Sequence, residues 1–89
     1  MVTKSELIKA LDDKCVMYDA QNDGYVRVKS IYLDIWWHVH YIGEVLKSVY
    51  NGSTGNIVSD IHDMDKVFIK NSLLVFEKTD KSSAIGLSL

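Results

Sequence analysis

The side chains best suited to chemistry in this sequence are two histidines one residue apart, His38 and His40, with His62 and Asp63 as candidate further metal ligands. Imidazole and carboxylate groups are common zinc ligands. Histidines at i and i+2 share one face of a strand, whereas on a helix they point about 200° apart. Because the apolar periodicity of residues 30–51 predicts a helix here, we expect no metal and no cofactor. Histidine metal binding is kept as a second alternative function.

No group of residues has the pattern of a catalytic site. Cys15, the single cysteine, follows two aspartates, and their negative charge disfavours a reactive thiolate. The carboxylates lie in charged or loop-like neighbourhoods, whereas acid–base catalysis needs environments that separate the pKa values of a pair. The glycine-rich segment 52–55 has no lysine at the spacing of a phosphate-binding loop. The sequence therefore predicts a protein that is not an enzyme.

The composition predicts one small cytoplasmic domain. The 89 residues are 47% hydrophobic, which suffices for one core, and a single cysteine excludes an internal disulfide. The first residues form no apolar signal segment, and no apolar run approaches the roughly 20 residues of a membrane span. We expect a domain over residues 1–79 and a loosely ordered tail over residues 80–89.

The charge balance disfavours nucleic acid as a partner. The net charge is −2, and only one of the ten basic residues is an arginine. Phosphate binding usually requires a basic excess. Nucleic-acid binding is therefore the first alternative function, through the basic residues on two predicted hairpins: Arg27, Lys29, Lys66, Lys70 and Lys78.

Local signals predict one short helix and two hairpins. Thr3 and Glu6 have the spacing of a capping box at the start of a helix over residues 3–13. Residues 15–18 and 25–28 are short runs of β-formers around Gly24, and residues 66–70 and 73–78 flank a two-residue turn. Residues 57–64 have the apolar spacing of a further short helix.

Residues 30–51 have two competing periodicities. Over residues 31–41 the apolar side chains alternate as in a strand, but the alternation stops at Tyr41. A helical pattern continues to Asn51, with Ser30 as its cap and Gly52 as its stop. Gly43 costs about 1 kcal/mol in the interior of such a helix, and a close packing contact on its apolar side would explain a glycine there. The sequence predicts a long amphipathic helix.

These elements predict an α+β fold of the order α-β-β-α-(α)-β-β. The two hairpins are expected to form one four-stranded, mainly antiparallel sheet. The helices at 3–13 and 30–51 are expected to pack on one of its faces.

On the predicted long helix, Leu33, Trp37 and Tyr41 form an apolar ridge within the polar side, unless residues 57–64 or the tail cover it. Aromatic side chains dominate binding hot spots. The sequence therefore predicts a non-enzymatic protein-binding module of the regulatory, adaptor or inhibitor type. Its partner is another protein or a second copy, and its polar rim is formed by Asp34, His38 and Glu44.

Overall fold

The computed structural model describes residues 2–59, 64–78 and 84–89. Within these ranges the chain forms one helix and eight strands, and every strand pair is antiparallel. In chain order the elements are α1 (Lys4–Asp13), β1 (Tyr18–Asp19), β2 (Tyr25–Lys29), β3 (Trp36–Ile42), β4 (Val45–Asn51), β5 (Ile57–Ser59), β6 (Lys66–Lys70), β7 (Leu73–Glu77) and β8 (Ala84–Ser88).

Helix α1 begins as predicted. The Thr3 side chain accepts a hydrogen bond from the Glu6 amide at 3.1 Å, and the Glu6 carboxylate accepts one from the Thr3 amide at 3.2 Å. This reciprocal pair satisfies two backbone donors that a helix start leaves without partners. Leu7 and Leu11, one turn apart, are buried. The short helix and its capping box are confirmed.

The predicted long helix is wrong, because residues 36–51 form the hairpin β3–β4. Gly43, in the two-residue turn, has φ +59°, and a Cβ there would meet no atom within 4 Å. It therefore permits the turn rather than a close helix contact. Beyond the turn, Lys47 is an extra residue between the pairs His40–Ser48 and Tyr41–Leu46. In each strand the apolar side chains alternate, but the turn and this bulge shift the alternation by a residue. Over β3 and β4 together, the spacing of the apolar residues therefore resembles that of a helix.

The strands form two sheets, so the predicted single four-stranded sheet is also wrong. Strands β1 to β5 pair in sequence order, and β6, β7 and β8 form a second sheet. The predicted hairpin over residues 66–78 is present as β6–β7, and the predicted first hairpin is present as β1–β2, although its first strand covers residues 18–19 rather than 15–18. Residues 57–59 form a strand where a helix was predicted, while residues 60–63 lie outside the described residues.

The C-terminal segment contributes a strand to the second sheet. In place of the loose tail predicted for residues 80–89, residues 84–88 form β8, which pairs along β7. Leu87 and Leu89 are buried, and residues 80–83 lie outside the described residues. The end of the chain is therefore part of the core.

One hydrophobic core joins α1 and both sheets. The five-stranded sheet turns one face, the inner face, toward this core, and the side chains of its other face, the outer face, are mostly half-buried. Trp37, on the inner face, donates a hydrogen bond from Nε1 to the Ser88 carbonyl at 2.6 Å, which ties β3 to β8. The buried apolar side chains are Val2, Leu7, Leu11, Val26, Val28, Val39, Tyr41, Leu46, Val49, Met64, Leu74, Phe76, Leu87 and Leu89.

Candidate functional site

The three residues of the predicted ridge do not lie side by side. Tyr41 is buried on the inner face, where burial raises the pKa of its hydroxyl, and that hydroxyl donates to the Thr3 carbonyl at 3.4 Å. Trp37 is partly buried against the same core. Leu33 lies in the β2–β3 loop and is 50% exposed. The helical ridge is therefore absent, and partner binding by these residues stays a prediction.

The predicted polar rim is dispersed over three places. Asp34 follows Leu33 in the same loop, and His38 lies on the outer face of β3. Glu44, in the β3–β4 turn, accepts hydrogen bonds from the Ser5 hydroxyl at 2.6 Å and the Ser5 amide at 3.0 Å. These bonds at the start of α1 lower the pKa of the Glu44 carboxyl. Glu44 therefore joins a turn to the helix.

The β2–β3 loop presents three consecutive large apolar side chains to solvent. Ile31, Tyr32 and Leu33, which we call the apolar loop, are 62%, 69% and 50% exposed. Single exposed apolar residues are ordinary, but three in succession are atypical of a surface without a binding role. Ile31 and Tyr32 were assigned to the buried side of the predicted helix, so only Leu33 was expected at this surface.

Hydrogen bonds connect the apolar loop to its flanking residues and to the second sheet. The hydroxyl of Ser30 accepts from the Leu33 amide at 3.0 Å, and the Ser30 amide donates to the Ile35 carbonyl at 3.1 Å. The Lys29 ammonium donates to the Leu33 carbonyl at 3.2 Å. The Tyr32 hydroxyl donates to the Ser72 hydroxyl at 3.2 Å, at the β6–β7 turn. The loop is therefore braced from its own base and from the second sheet.

A second candidate site is an aromatic cluster on the outer face. His38 and His40 lie on the same side of β3, as histidines at i and i+2 do on a strand. The Tyr25 ring stacks on His40, with centroids 4.7 Å apart, and meets His38 edge-on at 6.2 Å. Tyr50 is paired with His38 on the next strand. The rings of Tyr25, His38 and Tyr50 line a shallow depression, whereas His40 lies outside its lining.

We call this depression the outer-face groove; it is open and has a volume of about 380 Å³. Part of its wall is the β4–β5 turn, where Gly52 lies against His38: a Cβ on Gly52 would be 2.6 Å from the His38 Nε2. Glycine is therefore required for this approach. The groove is lined by Tyr25, Arg27, His38, Tyr50, Asn51, Gly52 and Gly55.

One cation lies among the residues that line the groove. The Arg27 guanidinium is 2.9 Å from the Asp23 carboxylate, and its hydrogen bond lowers the pKa of Asp23. The guanidinium carbon is also 5.3 Å from the centroid of the Tyr25 ring. Burial, and then the charge of Arg27, lower the pKa of His38. His38 is therefore neutral at pH 7 and contributes a ring rather than a charge.

The alternative sites remain predictions. Across the described ranges no three His, Cys, Asp or Glu side chains are grouped as metal ligands, and His62 and Asp63 lie outside those ranges. The basic residues of the nucleic-acid hypothesis are divided between the sheets. Arg27 and Lys29 lie on β2 in ion pairs with Asp23 and Asp34, whereas Lys66 and Lys70 lie on β6 and Lys78 follows β7.

Comparison with known proteins identifies no relative. No protein-family model matches the chain, and no curated protein and no solved structure is significantly similar to it. In the part of the chain that the structure describes, no helix has the length and apolar character needed to cross a membrane.

The alternation of side chains along β2 and β3 could have predicted part of the groove, but the helical interpretation of residues 30–51 left it unused. Alternation along β2 places Tyr25 and Arg27 on one face, and alternation along β3 does the same for His38 and His40. Once both segments are treated as paired strands, the four side chains become neighbours. The contribution of Tyr50 depends on the register of β4 and has no local signal.

Proposed function

We propose that the protein is a non-enzymatic, cytoplasmic protein-binding module that docks through the apolar loop. The observation that supports this is the exposure of three consecutive large apolar side chains, Ile31, Tyr32 and Leu33. Burying them in a partner removes apolar surface from water at a gain of about 25 cal/mol per Å². Leu33 is retained from the sequence-based prediction, and Ile31 and Tyr32 replace Trp37 and Tyr41 as contacts.

The bracing of the loop supports a docking role. Ordering a mobile loop on binding costs conformational entropy, about 0.5 to 1.5 kcal/mol for each side chain immobilised. Here the buried Ser30 and the Lys29 side chain already fix the backbone through hydrogen bonds to Leu33. A partner therefore meets a preformed surface.

The charges around the loop favour a protein partner over a lipid surface. Asp34, next to the loop, has a fully exposed carboxylate, and its nearest cation, Lys29, is bound to backbone carbonyls. Loops that bind anionic membranes carry free basic side chains instead, and the net charge here is −2. The partner we propose has an apolar pocket with a basic group positioned to meet Asp34.

The test compares two isoleucines that are almost equally exposed. Ile31 in the loop is 62% exposed and Ile42 at the end of β3 is 60% exposed, so Ile31→Ser and Ile42→Ser remove similar apolar surface from different places. Proteins captured from the source cell by wild type are purified and titrated against each variant. We expect Ile31→Ser to weaken binding at least tenfold, about 1.4 kcal/mol, with Ile42→Ser unchanged.

Two results would overturn the proposal. One is equal affinity of the purified partner for wild type, Ile31→Ser and Ile42→Ser. The other is that no captured protein binds wild type once purified, while light scattering shows a monomer at all concentrations. If the captured protein is a second copy of this chain, and only Ile31→Ser abolishes the dimer, the docking surface stands and the partner is the chain itself.

A further inference from the structure

The outer-face groove is lined by aromatic rings and by the β4–β5 turn, which has glycine at two of the lining positions. Its floor consists of β2, β3 and β4, which pair without interruption beneath Tyr25, His38 and Tyr50. Gly52 and Gly55, which also line the groove, present backbone only, and a Cβ on Gly55 would meet no atom within 4 Å. The groove therefore offers a ligand the rings of Tyr25, His38 and Tyr50 together with bare backbone.

The wall of the groove is ordered by its own hydrogen bonds. The Asn51 side-chain oxygen accepts from the Ser53 amide at 2.8 Å and from the Thr54 amide at 3.3 Å. The Gly52 amide donates to the Trp36 carbonyl at 2.7 Å, and the Gly55 amide donates to the Asn51 carbonyl at 2.7 Å. A ligand therefore enters a groove whose shape is already set.

The charge of the lining residues favours an anionic ligand. Arg27 is the one formal charge among the seven lining residues at pH 7, because His38 is neutral there and the others are uncharged types. Asp23 engages the guanidinium at Nη2, and a guanidinium has five N–H donors, so it can bind a second anion alongside. The Arg27 side chain is 28% exposed and open to such a ligand.

We propose that the outer-face groove binds a planar heteroaromatic ring that carries an anionic group, the chemistry of a nucleoside monophosphate. The ring lies against Tyr50 and His38, and the phosphate is bound by Arg27. Stacking on aromatic side chains is tolerant of the base, since every base has a flat π-face. The volume of about 380 Å³ lies within the range of small-molecule sites. This site is separate from the apolar loop and does not depend on the function proposed there.

The test uses adenosine monophosphate, with adenosine and inorganic phosphate as its two halves. Titrations followed by amide chemical shifts are expected to show the nucleotide binding at least tenfold more tightly than either half. The shifts are expected to centre on Tyr25, His38, Tyr50 and Gly52. Equal affinity for the nucleotide and phosphate, or shifts centred elsewhere, would overturn the proposal.

Two basic residues on the same face of β2 provide a matched pair of variants. The side chains of Arg27 and Lys29 are both 28% exposed, but only Arg27 lines the groove. Arg27→Gln is expected to weaken nucleotide binding at least tenfold, and Lys29→Gln to leave it unchanged. The same loss in both variants would mean non-specific attraction of charge and would contradict the site.

A second titration distinguishes a free nucleotide from a strand of nucleic acid. A five-nucleotide single strand is compared with the mononucleotide at two salt concentrations. If the mononucleotide binds as tightly as the strand, the ligand is a free nucleotide. If the strand binds more tightly and weakens with salt, the source is single-stranded nucleic acid recognised by the same groove.

Discussion

At the scale of single residues, the contacts of His38 on the outer face lower its pKa. His38 lies between the Gly52 backbone and the Tyr25 ring, close enough to Arg27 for that charge to oppose its protonation. Partial burial is the larger cause of its lowered pKa. The lowered pKa of His38 therefore has two consequences: the ring in the groove is neutral at pH 7, and the stability of the fold depends on pH.

The free energy of unfolding is expected to fall when the pH is lowered from 7 to 5. Because the folded pKa of His38 lies below 6.5, the unfolded chain binds more protons in the interval below 6.5, and protonation favours unfolding. The contribution of His38 is complete above pH 6.5 and is lost as the pH falls toward the folded pKa. An NMR titration of the His38 ring checks this, and a midpoint at or above 6.5 would contradict it.

At the scale of elements, β3 reverses the roles predicted for two adjacent tryptophans. The helical interpretation placed Trp36 on the buried side and Trp37 on the exposed ridge. In the strand, Trp37 faces the core and bonds to Ser88, while Trp36 pairs with Lys29 on the outer face. Side chains repeat every 3.6 residues on a helix and every 2 on a strand, so the change from helix to strand exchanges the buried and the outer positions of the two tryptophans.

Replacing each tryptophan by alanine distinguishes the two arrangements. Trp37→Ala is expected to lower the free energy of unfolding by about 3 kcal/mol, because it leaves a cavity in the core and removes the bond to β8. Trp36→Ala is expected to cost no more than about 1 kcal/mol. Urea denaturation of the three proteins measures both values. A larger loss for Trp36→Ala would contradict the strand orientation.

At the scale of the whole molecule, the last strand closes the core. β8 covers one edge of β7, supplies the acceptor for Trp37, and buries Leu87 and Leu89. The N-terminal end contributes to the same core, since Val2 is buried and its amide donates to the Met64 carbonyl. Stability is therefore distributed over segments that are far apart in sequence.

Deletion of residues 84–89 is expected to unfold the protein. Each buried leucine contributes about 2 to 5 kcal/mol, against a total stability of about 5 to 15 kcal/mol for a typical domain. Circular dichroism with urea denaturation measures the effect. Two leucine substitutions provide a matched control, because Leu87 is buried and Leu73 is 38% exposed. Leu87→Ala is expected to lower the free energy of unfolding strongly, and Leu73→Ala only weakly. A truncated chain that unfolds cooperatively at the same urea concentration would contradict the role of β8.

Local sequence alone determined α1, its capping box, the second predicted hairpin and the second strand of the first, because each depends on residues within a few positions of one another. The conformation of residues 36–51 was decided by the tertiary structure. Its apolar pattern fits a helix and a bulged hairpin equally well, and the choice rests on partners such as Ser88, 51 residues from Trp37. The exposure of the apolar loop and the position of Tyr50 beside His38 follow from that pairing. Strands gain their stability from distant neighbours, which a local periodicity does not contain.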